Sequence, residues 1–172
     1  MAGKGPAGKP PRQGGDSEPH IKLIAKNRRA LFDYAVESRH EAGVQLMGTE
    51  VKSLRAGKLQ LSDAYAVGQR GELMLFNADI ARYDPAGPLL NHEPKRTRKL
   101  LLKRREIDKL LEQQQRGGYA LIPLSVYFKD GKCKVELGVC KGKKSGDKRE
   151  AIAEREAKRE MDRSRRGRAR ES

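Results

Sequence analysis

The sequence contains no tryptophan, and aromatic residues make up only 5% of it. Hydrophobic residues reach 36%, low for a chain folded throughout. The core must therefore be small and aliphatic, and part of the 172 residues must lie outside it. No apolar run approaches the roughly 20 residues that span a bilayer, and no amphipathic stretch has a broad apolar face, so no membrane role is expected. The start, MAGKGPAGKPPRQGG, lacks the apolar centre of a signal peptide, so export is not expected and a cytoplasmic location is.

Cysteine is scarce too, with only Cys133 and Cys140. In an extended strand odd and even positions face opposite ways, so one strand cannot easily join these two thiols. Free thiols in a reducing compartment are expected. The three histidines, His20, His40 and His92, have no cysteine or carboxylate at metal-ligand spacing, so neither a metal nor any other cofactor is expected. Acid is in deficit: 38 Lys+Arg stand against 23 Asp+Glu, a net charge of +15 that points to a polyanionic partner, nucleic acid first.

Catalytic patterns are missing as well. GKKS, residues 142–145, imitates the end of a phosphate-binding loop, but Leu137 stands where that loop needs its first glycine and Lys144 where it needs Ser or Thr. Glu154 and Glu156 lie in a charged tail with no pocket to tune a carboxylate pair. An enzyme is not expected.

What is present divides the chain in three. Residues 1–20, rich in Gly, Pro and Lys, read as a disordered basic arm. Residues 21–140 read as the folded body. Within it GVQLMGTEVKSLRAGK starts extended and carries a short helix over Glu50 to Leu54, closed by Gly57. DAYAVGQRGELMLFNADI reads as a hairpin turning at Gly-Gln-Arg-Gly. In YALIPLSVYFKDGKCKVELGVC, Ala120, Ile122, Leu124, Val126 and Phe128 alternate, Asp130-Gly131 supplies a turn, and Cys133, Val135, Leu137 and Val139 alternate again. Between these hairpins, Leu100, Ile107, Leu110 and Leu111 fall on one face of a predicted helix that Gly117-Gly118 ends. Several short strands with short helices predict a mainly β protein, a small closed barrel of the oligonucleotide-binding kind, with an open α+β sheet as the alternative.

KRTRKLLLKRR, residues 95–105, holds seven cations and no acid: Lys95, Arg96, Arg98, Lys99, Lys103, Arg104 and Arg105. Its plain reading is a solvated helix start, but cations there oppose the helix dipole, and nearby phosphates would relieve that. Leu100, Leu101 and Leu102 cannot all face a core, so one is a candidate for contact with an exposed base. The tail, residues 141–172, carries thirteen basic and seven acidic residues, and Ile152 and Met161 are its only large apolar side chains. Glu154 to Lys158 and Asp162 to Arg166 are favourable i,i+4 pairs, so the segment reads as disordered alone and helical on a partner. A merely solubilising tail is the plainer alternative.

EAGVQLMGTEVKSLRAGK, TRKLLLKRREIDKLL, CKVELGVCKGKK and DKRE, in that order, resemble the small protein B family, the SsrA-binding proteins, from about Asn27 to Arg149. The resemblance implies a monomeric, non-enzymatic oligonucleotide-binding barrel that binds the transfer-RNA-like domain of transfer-messenger RNA. It implies delivery of that alanine-charged RNA to stalled ribosomes, with alanyl-tRNA synthetase and elongation factor Tu as indirect partners. The barrel would stand in for the missing anticodon arm, and the tail would occupy the empty decoding site and message channel. Matching RNA-contact positions are Asn27, Glu41, Lys99 and Leu101. Arg96 and Lys103 add charge beside them. Lys143, Lys144, Asp147, Lys148 and Arg149 match the decoding-site segment. Gly146 stands where the family often carries His or another ring, so no stacking role is carried over there. A structural ribosomal protein with a barrel and a basic tail is the competing reading.

Overall fold

The computed structural model describes residues 20–168, so all of the expected arm but His20 lies outside the described residues. The elements are β1 (Ile21–Lys26), α1 (Arg28–Asp33), β2 (Tyr34–Val44), α2 (Gly48–Arg55), β3 (Leu59–Gln60), β4 (Tyr65–Gln69), β5 (Glu72–Phe76) and β6 (Asp79–Ile80). A single 3-10 turn at Asp84–Ala86 follows, then β7 (Arg98–Leu101), α3 (Arg104–Gln115), β8 (Tyr119–Lys129), β9 (Lys132–Gly142) and α4 (Ser145–Arg168). The predicted helix at Glu50 to Leu54 is α2, and both predicted hairpins form, as β4–β5 and β8–β9.

Two tight turns fix those hairpins. Arg70-Gly71 and Asp130-Gly131 are each two-residue loops with both residues at positive φ, the conformation whose twist matches paired strands. The main sheet has the order β1-β8-β4-β5-β7-β2-β9, and β9 pairs with β8 as well as with β2. Every pairing is antiparallel. β3 and β6 form a separate two-stranded ribbon.

The core is aliphatic, as the composition requires. Leu73, Leu75, Leu100, Leu121, Val126, Val135, Leu137 and Val139 form its centre, and Leu110 brings α3 onto it. In β9 the predicted alternation holds: Val135, Leu137 and Val139 share the main cluster, with Cys133 packed against it. Cys140 faces a second cluster with Ala30, Ile122 and Leu124. Both thiols are free. Burial holds them protonated, pushing Cys133 up to about 12 and Cys140 to about 11.

Two expectations are corrected. The alternation predicted for β8 does not keep one face. A register shift between Pro123 and Ser125 moves the strand by one position, so Leu121 and Val126 share the main cluster while Ile122 and Leu124 enter the second. The second correction concerns residues 95–105, which are not a helix start. Arg98–Leu101 is a strand, with Leu100 between Leu73 on β5 and Val44 on β2, and α3 begins only at Arg104. Pairing on both sides and full burial of Leu100 prevail over the helical spacing. Glu106 closes the helix start by accepting the Lys103 N–H at 3.1 Å.

The acid-free run is also not free of acids in space. Glu50 of α2 is fully buried and takes Arg96 Nη2 at 2.5 Å and Arg98 Nε at 2.8 Å. Arg98 is itself 1% exposed and donates further to the carbonyls of Ala78, Pro94 and Arg96. Burial works to raise the Glu50 pKa, but the two arginines and the Met47 N–H outweigh it and hold the carboxyl below its ordinary range.

Candidate nucleic-acid interface

Strand registers assemble the candidate site from distant segments. Leu23, Tyr127, Lys134, Gly43 and Leu101 are consecutive cross-strand partners on β1, β8, β9, β2 and β7. They form one row across five strands. Leu23 and Leu101 mark its ends, 58% and 50% exposed, so this row lies on the outer surface rather than the core. Gly43 leaves room for Leu101: a Cβ built on Gly43 would stand 3.3 Å from the Leu101 Cβ. Two residues from this row, on the same face by strand alternation, lie Glu41 on β2 to one side and Lys99 on β7 to the other.

Glu41, Lys99, Leu101 and Lys103 therefore line one groove of about 780 Å3, with Lys134 on β9, Glu72 on β5 and Arg104, Glu106 and Ile107 at the start of α3. Its charge is mixed. Lys99 pairs with Glu72, and Arg104 with Asp108 at 3.1 Å. Glu41 accepts the Tyr127 hydroxyl at 2.6 Å and Lys129 Nζ at 3.1 Å, with Lys134 Nζ at 3.7 Å. The Tyr127 hydrogen bond, helped by both lysines, holds the Glu41 carboxyl below the ordinary carboxylate range. Glu41 is thus ionised and acceptor-only, able to take a base amino group. The lysines suit phosphate, and Leu101 suits an unstacked base.

The other predicted residues lie elsewhere. Asn27 is 3% exposed and caps α1. Its amide donates to the carbonyls of Leu61 at 2.9 Å and Pro123 at 3.1 Å, and accepts the Ala30 N–H at 3.0 Å. Those bonds tie three segments together inside the body and leave no amide face for a base. Arg96 is held on Glu50, away from the groove. Lys143 Nζ donates to the Leu31 carbonyl at 3.3 Å, and Asp147 accepts the Lys144 N–H at 3.3 Å. Lys148 and Arg149 fall on the first turns of α4.

Sequence reasoning missed Tyr127, Lys134, Glu72 and Leu23. The alternation of β9 carried a signal for Lys134, the outward neighbour of two inward residues. Among the described residues, no group of three or more His, Cys, Asp or Glu is placed to hold a metal, and no helix is long and apolar enough to cross a membrane. His92 is structural: buried, it bonds Thr49 Oγ1 and the Ile80 carbonyl, each at 3.0 Å.

A groove of lysines, an ionised carboxylate and an exposed leucine on an antiparallel sheet has the chemistry that suits a nucleic acid. Comparison with known proteins narrows the class. The family model described as "SmpB protein" matches residues 24–167, and the chain belongs to that family. It is similar to the SsrA-binding protein of Myxococcus xanthus (strain DK1622), 52% identical over 156 residues, covering 91% of this chain and 96% of that one. The SsrA-binding proteins of Macrococcus caseolyticus (strain JCSC5402) and Salinispora arenicola (strain CNS-205) are 52% and 53% identical over 143 residues, each covering 83% of this chain and 93% and 89% of their own. Among solved structures, a chain from "tmRNA-SmpB: a journey to the center of the bacterial ribosome" superposes with a TM-score of 0.62 at 45% identity, covering 74% of this chain and 93% of that one.

Proposed function

We propose that this chain binds the transfer-RNA-like domain of transfer-messenger RNA and delivers it to stalled ribosomes in trans-translation. The observation that carries the reading is family membership across residues 24–167, which takes in both the groove and most of the tail. In this proposal Glu41, Lys99, Leu101 and Lys103 meet the RNA, joined by Lys134. Asn27 serves the interface indirectly, as the residue that holds α1 in place. The tail from residue 141 to 172, whose first two residues finish β9, enters the empty decoding site and message channel through Asp147, Lys148 and Arg149, and orders fully there. Alanyl-tRNA synthetase and elongation factor Tu follow as partners of the same RNA. The body is proposed to be a small closed barrel of the oligonucleotide-binding type. The return pairing of β9 on β8 supports closure, because the sequence β8-β4-β5-β7-β2-β9 ends where it began. No catalytic role is assigned.

Recovery and sequencing of the RNA that co-purifies with the protein tests this directly. Transfer-messenger RNA should dominate and be lost on a high-salt wash. Ribosomal RNA retained through that wash, without transfer-messenger RNA, would instead identify a structural ribosomal protein.

A further inference from the structure

The outer face of the sheet does not end at the groove. Beyond Tyr127 it continues onto β1, where Ile21 and Leu23 are 56% and 58% exposed. Two positions apart on one strand, they share a face and stand roughly 7 Å from each other. Their cross-strand neighbours complete two short rows, Ile21 beside Lys129 and Lys132, Leu23 beside Tyr127 and Lys134. Lys129 and Lys134 are held by Glu41. Lys132 is exposed and, among the described residues, has no ion-pair partner. Both ends of β1 are pinned. The His20 N–H donates to Asp130 Oδ1 at 3.1 Å, and the Asp130 N–H returns to the His20 carbonyl at 3.1 Å, closing the strand onto the hairpin turn. At the other end the Asn27 N–H donates to the Leu124 carbonyl at 2.7 Å. Two apolar side chains are thus displayed at fixed positions beside a column of lysines.

We propose that Ile21, Leu23 and Lys132 form a second RNA contact, separate from the groove, that takes unpaired loop nucleotides: bases against the two aliphatic side chains, phosphate on the ammonium. Charge favours RNA over a protein partner here. Lysines stand in both rows, and the acids beside them, Glu41 and Asp130, already accept hydrogen bonds. Four strand spacings separate Leu23 from Leu101, roughly 19 Å. A face with apolar contacts at both ends and lysines between them fits a folded RNA loop with unpaired bases at two places. A regular duplex, whose bases are stacked inside it, offers nothing to either contact. The inference rests on the RNA reading proposed above and adds to it a site on β1 and the hairpin tip.

Ile21→Thr with Leu23→Thr in the full-length chain removes the apolar pair without changing charge, and threonine suits an exposed strand. Affinity of this double variant for the transfer-RNA-like domain should fall roughly tenfold, with melting temperature and salt slope at wild-type values. Lys132→Gln should flatten the slope of log K against log salt by roughly 0.7–0.9. Chemical probing of the bound RNA should show two groups of protected unpaired bases, one lost in the double variant and the other in Leu101→Ser. Wild-type affinity in both the double variant and Lys132→Gln would overturn the inference, and a weakened Leu101→Ser beside them would leave the groove reading standing. Wild-type chains that dimerise, with a monomeric double variant of unchanged RNA affinity, would assign β1 to a second copy and overturn it too. A wild-type protein that binds unrelated RNA as tightly as the transfer-RNA-like domain would sink the functional proposal, while a weakened double variant on that same RNA would keep the β1 contact.

Discussion

Glu50 and Arg98, 48 residues apart in sequence, form an ion pair inside the body, Arg98 Nε donating to Glu50 Oε1 at 2.8 Å with side chains 0% and 1% exposed. Arg96 completes the arrangement from the partly exposed side. Removing one partner leaves a charge buried without compensation. Glu50→Gln should therefore lower stability by about 3–5 kcal/mol in urea denaturation. Adding Arg98→Met should recover part of that loss, since the orphaned guanidinium goes with it.

The same pair sets an acid response. The Glu50 pKa is lower in the folded chain than its ordinary value of about 4.5. Its stabilisation is therefore complete above about 4.5 and is lost as pH falls through the lower, folded value. Wild-type stability should drop in that acidic window. Glu50→Gln, less stable at neutral pH, should lose less across it. Chemical denaturation at a series of pH values gives both curves.

RNA binding should depend strongly on salt. Lys99→Ala should weaken binding and flatten the slope of log K against log salt by roughly 0.7–0.9, one phosphate contact. Arg96→Ala should leave the slope unchanged and lower the melting temperature, because Arg96 serves Glu50. Leu101→Ser should reduce affinity by about 1 kcal/mol with little change in folding, since half of that side chain already faces solvent. Equal slopes for wild type and Lys99→Ala would take β7 out of the interface.

Glu41→Gln keeps the shape of the side chain and removes its charge. Tyr127, Lys129 and Lys134 hold that carboxylate in place, so the variant should fold normally. Its affinity for the transfer-RNA-like domain should fall by about 1–3 kcal/mol, the range for a charged hydrogen bond. Affinity for unrelated RNA should rise, because two lysines lose their carboxylate. Parallel titrations with the two RNAs separate a specific acceptor from a plain surface charge.

Much of the architecture was legible in the residues, and the failures have physical causes. Asp130-Gly131 and the β9 alternation announced the last hairpin, because a two-residue turn and a period of two are local properties. The strand at Arg98–Leu101 was hidden because three consecutive leucines fit a helix as well as a strand, and only the partners Leu73 and Val44 decide. Burial of Asn27 could not be read locally either, since its bonds reach Leu61 and Pro123. Glu41, Lys99 and Leu101 came from family likeness. Their convergence with Lys134 and Tyr127 is a product of register alone.

The tail can be cut more cleanly than the sequence suggested. Lys141 and Gly142 still pair with Ala35 and Tyr34, and Lys143 bonds α1, so truncation after Cys140 would disturb β9. Truncation after Lys144 should leave the melting temperature and RNA affinity near wild type and abolish tagging. Ala157→Pro should break α4 at a cost of about 3 kcal/mol to the helix while sparing the body. Wild-type tagging rates in both variants would reduce the tail to a solubilising appendage.

The tail grows directly out of β9, a strand bonded along most of its length to β2 on one side and β8 on the other. A pull on α4 along that strand loads both ladders in shear, so many hydrogen bonds must yield together. β1, whose only ladder among the described residues is with β8, could be peeled away one bond at a time. The segment that would be dragged through a moving ribosome is thus moored to the strongest part of the sheet, and traction on it would haul the whole body along before it unravelled the fold.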